Sequence, residues 1–227
     1  MMEENVVIKA ENLEKIYGYG RNALRVLKGI TFEILYGEII AIVGPSGAGK
    51  STLLNLIGCL DSFQNGSLTV FGRDVAKLSV EALSGFRNRH IGFIFQLHNL
   101  LPEFTALENI MMPLLIRRIK KREAKKEALS LLERFNMTDR ANHKPAELSG
   151  GECQRIAVAR AVVAEPAILL ADEPTGNLDR ANSRILTDML LELGNEHNTT
   201  IVIVTHDRDI AARTGRTITL IDGNIQQ

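Results

Sequence analysis

The chain has 227 residues, with 27 basic and 27 acidic side chains and therefore no formal net charge. A hydrophobic fraction of 45% and a charged fraction of 24% are those of an ordinary globular protein, and the balanced charge predicts no general attraction to nucleic acid or anionic lipid. Two cysteines in so long a chain do not suggest a disulfide framework. No apolar run approaches the ~20 residues that cross a bilayer, and the first residues lack the layout of a secretory signal. We expect a cytosolic chain that would need another protein to span a membrane.

The first part of the chain, from residue 6 to about residue 72, predicts short strands separated by turns. Ile39–Val43 is short and rich in β-branched residues, which is typical of a buried parallel strand. A helix is predicted at residues 51–60, because leucine and isoleucine recur there at helical spacing. Further strands are predicted at residues 67–71 and 91–95.

The middle of the chain, residues 105–164, changes to a helical pattern. Thr105 and Glu108 have the spacing of a capping box at the start of a helix over residues 106–116. Two more helices are predicted at residues 121–135 and 149–164, and the second of them begins at a Ser-Gly-Gly step.

Beyond Pro166 the alternation of strands and helices returns. Strands are predicted at residues 167–171 and 200–204, helices at 181–197 and 207–213, and a terminal hairpin from residues 217–221 and the turn Asp222-Gly223. The fold class is therefore an α/β unit interrupted by a helical insert. We expect a single domain over residues 1–227, with the core and a β subdomain at residues 1–95 and 165–227 and a mainly helical subdomain at residues 96–164.

A phosphate-binding loop follows the strand Ile39–Val43. It matches the pattern G-x-x-x-x-G-K-[ST] with Gly44, Pro45, Ser46, Gly47, Ala48, Gly49, Lys50 and Ser51. Glycines let backbone N–H groups converge on a phosphate, and the N-terminus of the helix that follows adds a positive dipole. Lys50 would supply positive charge to the β- and γ-phosphates, and the Ser51 hydroxyl would ligate Mg²⁺. Together with Thr52, these residues are the predicted nucleotide-binding segment.

An acidic pair, Asp172 and Glu173, ends the apolar run that begins at Ile168. Hydrolysis of a phosphoanhydride needs neutralised charge and a base or orienting group for water. We expect Asp172 to hold Mg²⁺, directly or through water, and Glu173 to face the attacking water.

A third motif lies between the phosphate loop and the acidic pair. The sequence Leu148-Ser149-Gly150-Gly151-Glu152-Cys153-Gln154 resembles the LSGGQ signature of ABC ATPases, with Glu152 and Cys153 departing from the common form. Ser149 also has the position of a helix N-cap. The resemblance spans nearly the whole chain. It implies a P-loop NTPase core with an antiparallel β subdomain and an inserted helical subdomain, with ATP and Mg²⁺ bound.

The resemblance also implies roles for single residues. Gln96 resembles the glutamine that contacts Mg²⁺ or the attacking water, and His206 resembles the histidine that touches the γ-phosphate. Asp179 lies in a segment similar to the loop that crosses the dimer interface. Tyr17 resembles the aromatic residue that stacks on adenine, and Tyr19 is its competitor. The expected catalytic residues are Glu173, His206, Gln96 and Lys50, and the expected Mg²⁺ ligands are Ser51, Gln96 and Asp172.

The same resemblance implies partners. Two copies would pack head to tail on binding ATP, so that Ser149, Gly150 and Gly151 of one copy complete the nucleotide site of the other. An integral membrane permease would contact the region between Gln96 and Asn109. The chain would then sit at the cytoplasmic face of the membrane.

Residues 87–96 and 100–109 are similar to ABC ATPases that power lipoprotein release and to relatives that power macrolide or peptide export. We expect an ATP-hydrolysing transporter subunit for lipoprotein release, with macrolide or peptide export as the alternative. A soluble ABC ATPase acting on nucleic acid fits less well, because such proteins usually carry two cassettes or a long coiled coil. A regulator that binds nucleotide without hydrolysis is disfavoured by the presence of Glu173 and His206.

Overall fold

The computed structural model describes residues 5–226, which fall into two compact units. The first unit joins the residues up to Gly85 with those from Leu193 onward, and the second is Phe86–Glu192. The boundaries lie within helices α2 (Val80–His90) and α6 (Arg180–His197).

An antiparallel sheet in the first unit is built on β1 (Val6–Tyr17) and β2 (Leu24–Leu35), with β4 (Asn65–Val70) and β5 (Arg73–Asp74) beside them in the order β2-β1-β4-β5. The prediction of short strands was wrong here, since β1 and β2 have 12 residues each. Asn12 has a φ of 49° and lies where the register shifts between Ala10 and Leu13. A bulge of this kind changes the phase of the apolar alternation, so one long strand reads as two short ones.

The nucleotide-binding elements of the first unit surround β3 (Ile39–Val43). This strand pairs in parallel with β8 (Thr200–Val204) on one side and β9 (Arg216–Ile221) on the other, and β10 (Asn224–Gln226) closes the hairpin with β9. Helix α1 (Lys50–Ile57) follows β3, and helix α7 (Arg208–Ala212) follows β8. Buried parallel strands at these positions and the terminal hairpin are therefore confirmed. Helix α1 starts at Lys50, one residue before the predicted start at residue 51. It ends at Ile57, three residues before the predicted end at residue 60.

The second unit pairs β6 (Ile91–Phe95) in parallel with β7 (Ile168–Asp172). Its helices α3 (Ala106–Ile116), α4 (Lys121–Arg134) and α5 (Gly150–Val162) pack together, and α5 also lies on β6. The predicted capping box at Thr105 and Glu108 is confirmed. Helix α2 was not predicted, because only Phe86 of its side chains is buried and no apolar stripe marks it.

The segment that precedes α3 is organised by one amide side chain. Asn109 is fully buried, and its Nδ2 donates to the carbonyls of Leu101, Phe104 and Thr105 at 3.1, 3.1 and 3.0 Å. Its Oδ1 accepts from the Leu101 N–H at 2.8 Å. Asn109 thus replaces the backbone partners that this irregular segment lacks.

Replacing Asn109 by alanine should therefore destabilise the protein by about 3 kcal/mol, since several buried backbone groups lose their partners. Chemical unfolding followed by circular dichroism measures the change. The control is Asn142→Ala at an exposed position, where we expect less than about 0.5 kcal/mol. Equal stability of the two variants would contradict the role given to Asn109.

Candidate active site

The phosphate loop has a backbone that only glycine can adopt at two places. Gly44 has a φ of 151°, and a Cβ there would lie 1.9 Å from the carbonyl oxygen of Leu220 in β9. Gly49 has a φ of 101° and is the N-cap of α1, and a glycine has no side chain that could bond to the first N–H groups of the helix. Those N–H groups are the kind of donors that bind phosphate at a helix N-terminus. The loop therefore fits a phosphate chain.

Lys50 lies across this loop rather than pointing into solvent. Its Nζ donates to the carbonyls of Gly44 at 2.9 Å and Pro45 at 3.0 Å. These contacts hold the ammonium group above the curve of the loop, where it can meet a negatively charged phosphate.

His206 and the start of the phosphate loop line one cleft in the first unit. The cleft has a volume of about 430 Å³ and is lined by Gly44, His206 and Arg208 among others. The segment that carries His206 is fixed by Asp207, whose carboxylate accepts from the N–H groups of Asp209 and Ile210 at the start of α7. Gly44 and His206, two predicted site residues that are far apart in the chain, therefore line the same cleft.

Tyr17 is held by two residues that the sequence analysis missed. Its hydroxyl donates to Asp61 Oδ2 at 2.7 Å, and Asp61 Oδ1 accepts from Lys15 Nζ at 2.7 Å. The same Nζ lies 4.5 Å from the centroid of the Tyr17 ring. Burial raises the pKa of Tyr17, and the hydrogen bond to Asp61 adds to this. No local sequence signal links Asp61 to Tyr17, which lies far from it in the chain.

The two tyrosines considered for adenine differ in the structure. Tyr17 is 41% exposed, and its hydroxyl is also in hydrogen-bonding contact with Thr52 of α1. Tyr19 is 96% exposed. A ring that is anchored at its hydroxyl and partly exposed suits stacking, since little conformational entropy is lost on binding. The geometry favours Tyr17.

The acidic pair lies in the second unit, where Asp172 ends β7 and Glu173 follows it. Glu173 has a φ of 46°, in the left-handed region that residues with a side chain rarely adopt, and its carbonyl accepts from the Gly176 N–H at 3.0 Å. Strained backbone of this kind is concentrated at functional sites. The tight turn gives the two adjacent carboxylates different backbone conformations, in keeping with two separate roles.

Gln96 lies beside the turn that follows Glu173, within the second unit. A Cβ placed on Gly176 would be 2.8 Å from Gln96 Nε2, and Asn177 Nδ2 donates to the Gln96 carbonyl at 3.2 Å. Asp179 accepts from the N–H and the side-chain amide of Asn182, both at 2.8 Å. These bonds lower the pKa of Asp179 and fix the start of α6.

The signature motif forms the N-terminus of α5. Ser149 Oγ accepts from the Glu152 N–H at 3.3 Å, and the Ser149 N–H donates to Glu152 Oε2 at 2.8 Å, so the predicted N-cap is confirmed as a full capping box. Arg140 Nε donates to Glu152 Oε1 at 2.8 Å. The backbone bond from Ser149 and the Arg140 guanidinium lower the pKa of Glu152 to about 2. The space around Gly150 is open, since a Cβ there would have no neighbour within 4 Å.

The predicted site residues are therefore divided between the units. Tyr17, Lys50, Ser51, Thr52 and His206 belong to the first, and Gln96, Ser149, Asp172, Glu173 and Asp179 belong to the second. In residues 5–226 no group of three or more His, Cys, Asp or Glu side chains could hold a metal ion. Mg²⁺ in nucleotide sites is held by one or two protein oxygens together with phosphates and water, so the hydroxyl and carboxylate donors present fit that ion.

Comparison with known proteins identifies the family. The family model described as ABC transporter matches residues 27–176, which include the phosphate loop, the signature motif and the acidic pair. The chain belongs to the ABC transporter family.

Close relatives of this ABC protein match it over their full length. The lipoprotein-releasing system ATP-binding protein LolD of Bacteroides fragilis is 50% identical over 96% of this chain and 100% of its own. The protein of the same name from Alcanivorax borkumensis is 47% identical, with both chains covered completely.

Solved structures show the same fold. A dimeric ATP-binding cassette in a post-hydrolysis state, bound to ADP and Pi, superposes with a TM-score of 0.91 at 40% identity and covers 97% of each chain. A second dimeric bacterial ABC transporter cassette also gives 0.91, at 41% identity. The expected ABC ATPase fold is confirmed. In the described part of the chain, no helix is long and apolar enough to cross a membrane.

The Glu152 carboxylate should make the stability of this ABC protein depend on pH in the acid range. Its pKa is about 2 in the folded chain against an ordinary value of 4.5, so its stabilising contribution is complete above pH 4.5 and is lost as the pH falls towards 2. Since the side chain is partly exposed, we expect a change of about 1 kcal/mol. Urea unfolding at pH 6 and pH 3 should show a smaller loss for Glu152→Gln than for wild type.

The matched control is Glu133→Gln, which removes an exposed carboxylate from α4 and should leave the pH dependence of wild type in place. If Glu152→Gln and wild type lose the same stability between the two pH values, Glu152 is not a stabilising carboxylate.

Proposed function

We propose that this chain is the ATP-hydrolysing subunit of an ABC transporter that releases lipoproteins from a membrane. The observation that carries the proposal is the full-length identity of 47–50% to lipoprotein-releasing ATP-binding proteins. The residues that nucleotide hydrolysis requires are all present in this sequence.

Nucleotide binding is assigned to the first unit. The phosphate chain would lie on the N–H groups of residues 44–52, with Lys50 as the positive charge, and adenine would stack on Tyr17. Support comes from the glycine-only backbone at Gly44 and Gly49 and from the anchored Tyr17 ring. Most of the binding free energy would come from the phosphates, since convergent N–H groups and a cation recognise charge directly.

Hydrolysis is assigned to Glu173, which would orient and deprotonate the attacking water, with His206 and Gln96 holding the water and the γ-phosphate. Ser51, Gln96 and Asp172 would hold Mg²⁺. When bound, that ion would neutralise charge on the phosphate oxygens. The left-handed backbone of Glu173 supports its assignment as the reactive carboxylate.

Two copies would act together. Ser149, Gly150 and Gly151 of one copy would contact the γ-phosphate bound by the other, through the N-terminus of α5, where the space around Gly150 is open. The dimeric assemblies of the two similar cassettes support this arrangement. Because the γ-phosphate is the contact that differs before and after hydrolysis, ATP would favour the closed dimer and ADP the open one.

A membrane permease would receive this motion between Gln96 and Asn109, at the cytoplasmic face of the membrane. Three apolar side chains of this segment are exposed, namely Leu97 at 68%, Leu101 at 38% and Phe104 at 37%. Exposed apolar groups that lie close together in the chain are a common feature of protein interfaces.

The enzymatic part is tested with Lys50→Ala and Glu173→Gln in the purified chain. We expect Lys50→Ala to lose at least about tenfold in ATP affinity, because a charge on the phosphates is removed. Glu173→Gln should bind ATP normally, lose at least about a hundredfold in kcat and elute as a dimer with ATP. Fluorescent-nucleotide titration, phosphate release and size-exclusion chromatography are the measurements. A Glu173→Gln variant that turns over ATP at the wild-type rate would falsify the assignment.

The transport part is tested by depletion in cells that carry the gene. Lipoproteins should then accumulate in the membrane from which they are normally released. Wild-type protein should restore their release, and the Lys50→Ala variant should not. Normal lipoprotein sorting together with sensitivity to macrolides would instead place the chain with the drug exporters.

A further inference from the structure

The segment after β6 is held in place almost entirely through its backbone. We call residues 95–99 the Gln96 loop. Side chains donate to the carbonyls of four of its five residues, and the carbonyl of the fifth, Leu97, accepts from the Asn99 N–H. The loop's own side chains take little part, since Leu97 is 68% exposed and Gln96 and Asn99 are also exposed.

Helix α5 supplies three of the four side-chain bonds. Gln154, a polar residue that is only 2% exposed, donates from Nε2 to the Phe95 carbonyl at 3.0 Å. Six residues further along the helix, Arg160 donates from Nη1 to the Asn99 carbonyl at 2.6 Å and from Nη2 to the His98 carbonyl at 2.8 Å. The fourth bond comes from Asn177.

Arg160 is an unusual choice for a purely structural contact. Within residues 5–226 no carboxylate pairs with its guanidinium, and burial lowers its pKa. Burying a cation without an opposite charge is costly, and a neutral amide could serve a single carbonyl as well. The planar guanidinium differs from an amide in presenting two parallel donors, which here reach two successive carbonyls.

Two successive carbonyls need such a fork because the backbone between them is strained. His98 and Asn99 both have a φ of 47°, in the left-handed region. Residues with a side chain remain in this region only when their surroundings hold them there. Arg160 bonds to the carbonyls of both strained residues and so fixes the shape of the loop at its far end.

We propose that Gln154 and Arg160 are positioning residues that make the Gln96 loop and the signature helix α5 one rigid piece. The proposal rests on the function proposed above, in which Ser149–Gly151 meet the partner's nucleotide and Gln96 serves hydrolysis. Arg160 lies ten residues beyond Gly150, about 15 Å along the helix axis. A movement of the start of α5 on contact with the partner's nucleotide would thereby reach the Gln96 loop through a continuous helix, rather than through the chain that connects the loop to α5.

The test compares Arg160→Met and Arg160→Lys with the control Arg155→Met. Arg155 lies on the same helix but contacts Met137 Sδ at 3.4 Å and not the loop, so the control removes an equal charge and a similar side chain. Hydrogen exchange of peptides spanning residues 95–101 reports the order of the loop in each purified chain. Steady-state ATPase assays give kcat and KM.

We expect Arg160→Met to raise exchange in the Gln96 loop by about tenfold relative to the control. Its kcat should fall about tenfold, with KM for ATP changed by less than about twofold, because the phosphate loop is untouched. Arg160→Lys should recover part of both losses, since an ammonium group can still donate to one carbonyl. Thermal unfolding of each variant separates these effects from a general loss of stability.

Exchange in the loop that is the same for Arg160→Met and Arg155→Met overturns the positioning role, whatever the activity of the chain. A fall in kcat that Arg155→Met reproduces also overturns it. The exchange measurement needs no turnover. A wild-type chain that hydrolyses no ATP would therefore refute the proposed function while leaving the connection between α5 and the loop to be judged separately.

Discussion

The close approach of Gly44 to the carbonyl oxygen of Leu220 determines how the first unit is arranged. A polyphosphate can be gripped by backbone N–H groups only if the chain turns sharply at the end of a strand and enters a helix at once. Here the turn is made against the backbone of β9, at a distance that leaves no room for a side chain. The hairpin of β9 and β10 therefore forms one wall of the phosphate loop as well as completing the sheet. The neighbouring strand β8, on the other side of β3, delivers His206 to the same cleft.

Each of the two units contributes a helix N-terminus to the proposed nucleotide contacts. Gly49 is the N-cap of α1, and a glycine has no side chain that could bond to the first N–H groups of the helix. The start of α5 is different, because Ser149 and Glu152 form a capping box there and Arg140 adds a cation. The carboxylate of Glu152 partly offsets the positive end of that helix. The N-terminus of α1 would thus bind a nucleotide more strongly, as the main phosphate site. The N-terminus of α5 would contact a nucleotide more weakly, on dimerisation.

The features that could be predicted from the sequence are those encoded in short stretches of chain. The phosphate loop, the capping box at Thr105, the N-cap at Ser149 and the terminal hairpin each depend on a few neighbouring residues whose spacing is diagnostic. The long strand β1 was missed because a bulge at Asn12 hides its periodicity, and α2 was missed because it lacks an apolar face. The contacts of Asp61 with Tyr17, and of Arg160 with the Gln96 loop, had no signal at all. In the second case the acceptors are backbone carbonyls, which every residue possesses.

Because the Gln96 loop is held by its backbone carbonyls, its side chains can diverge between related proteins. Since Gln154, Asn177 and Arg160 hold the Gln96 loop by its carbonyls, the exposed side chain at position 97 contributes little to keeping its shape. Position 99 is more restricted, because Asn99 has a φ of 47° and asparagine tolerates the left-handed region better than most residues with a side chain. Mutations can therefore accumulate at position 97 without disturbing the path of the backbone. A lineage could therefore alter the surface that the loop would present to the proposed membrane permease, while the contacts made by α5 beneath it stay the same. The contacts from α5 keep the backbone of the loop in place, whereas the exposed side chain at position 97 is free to change.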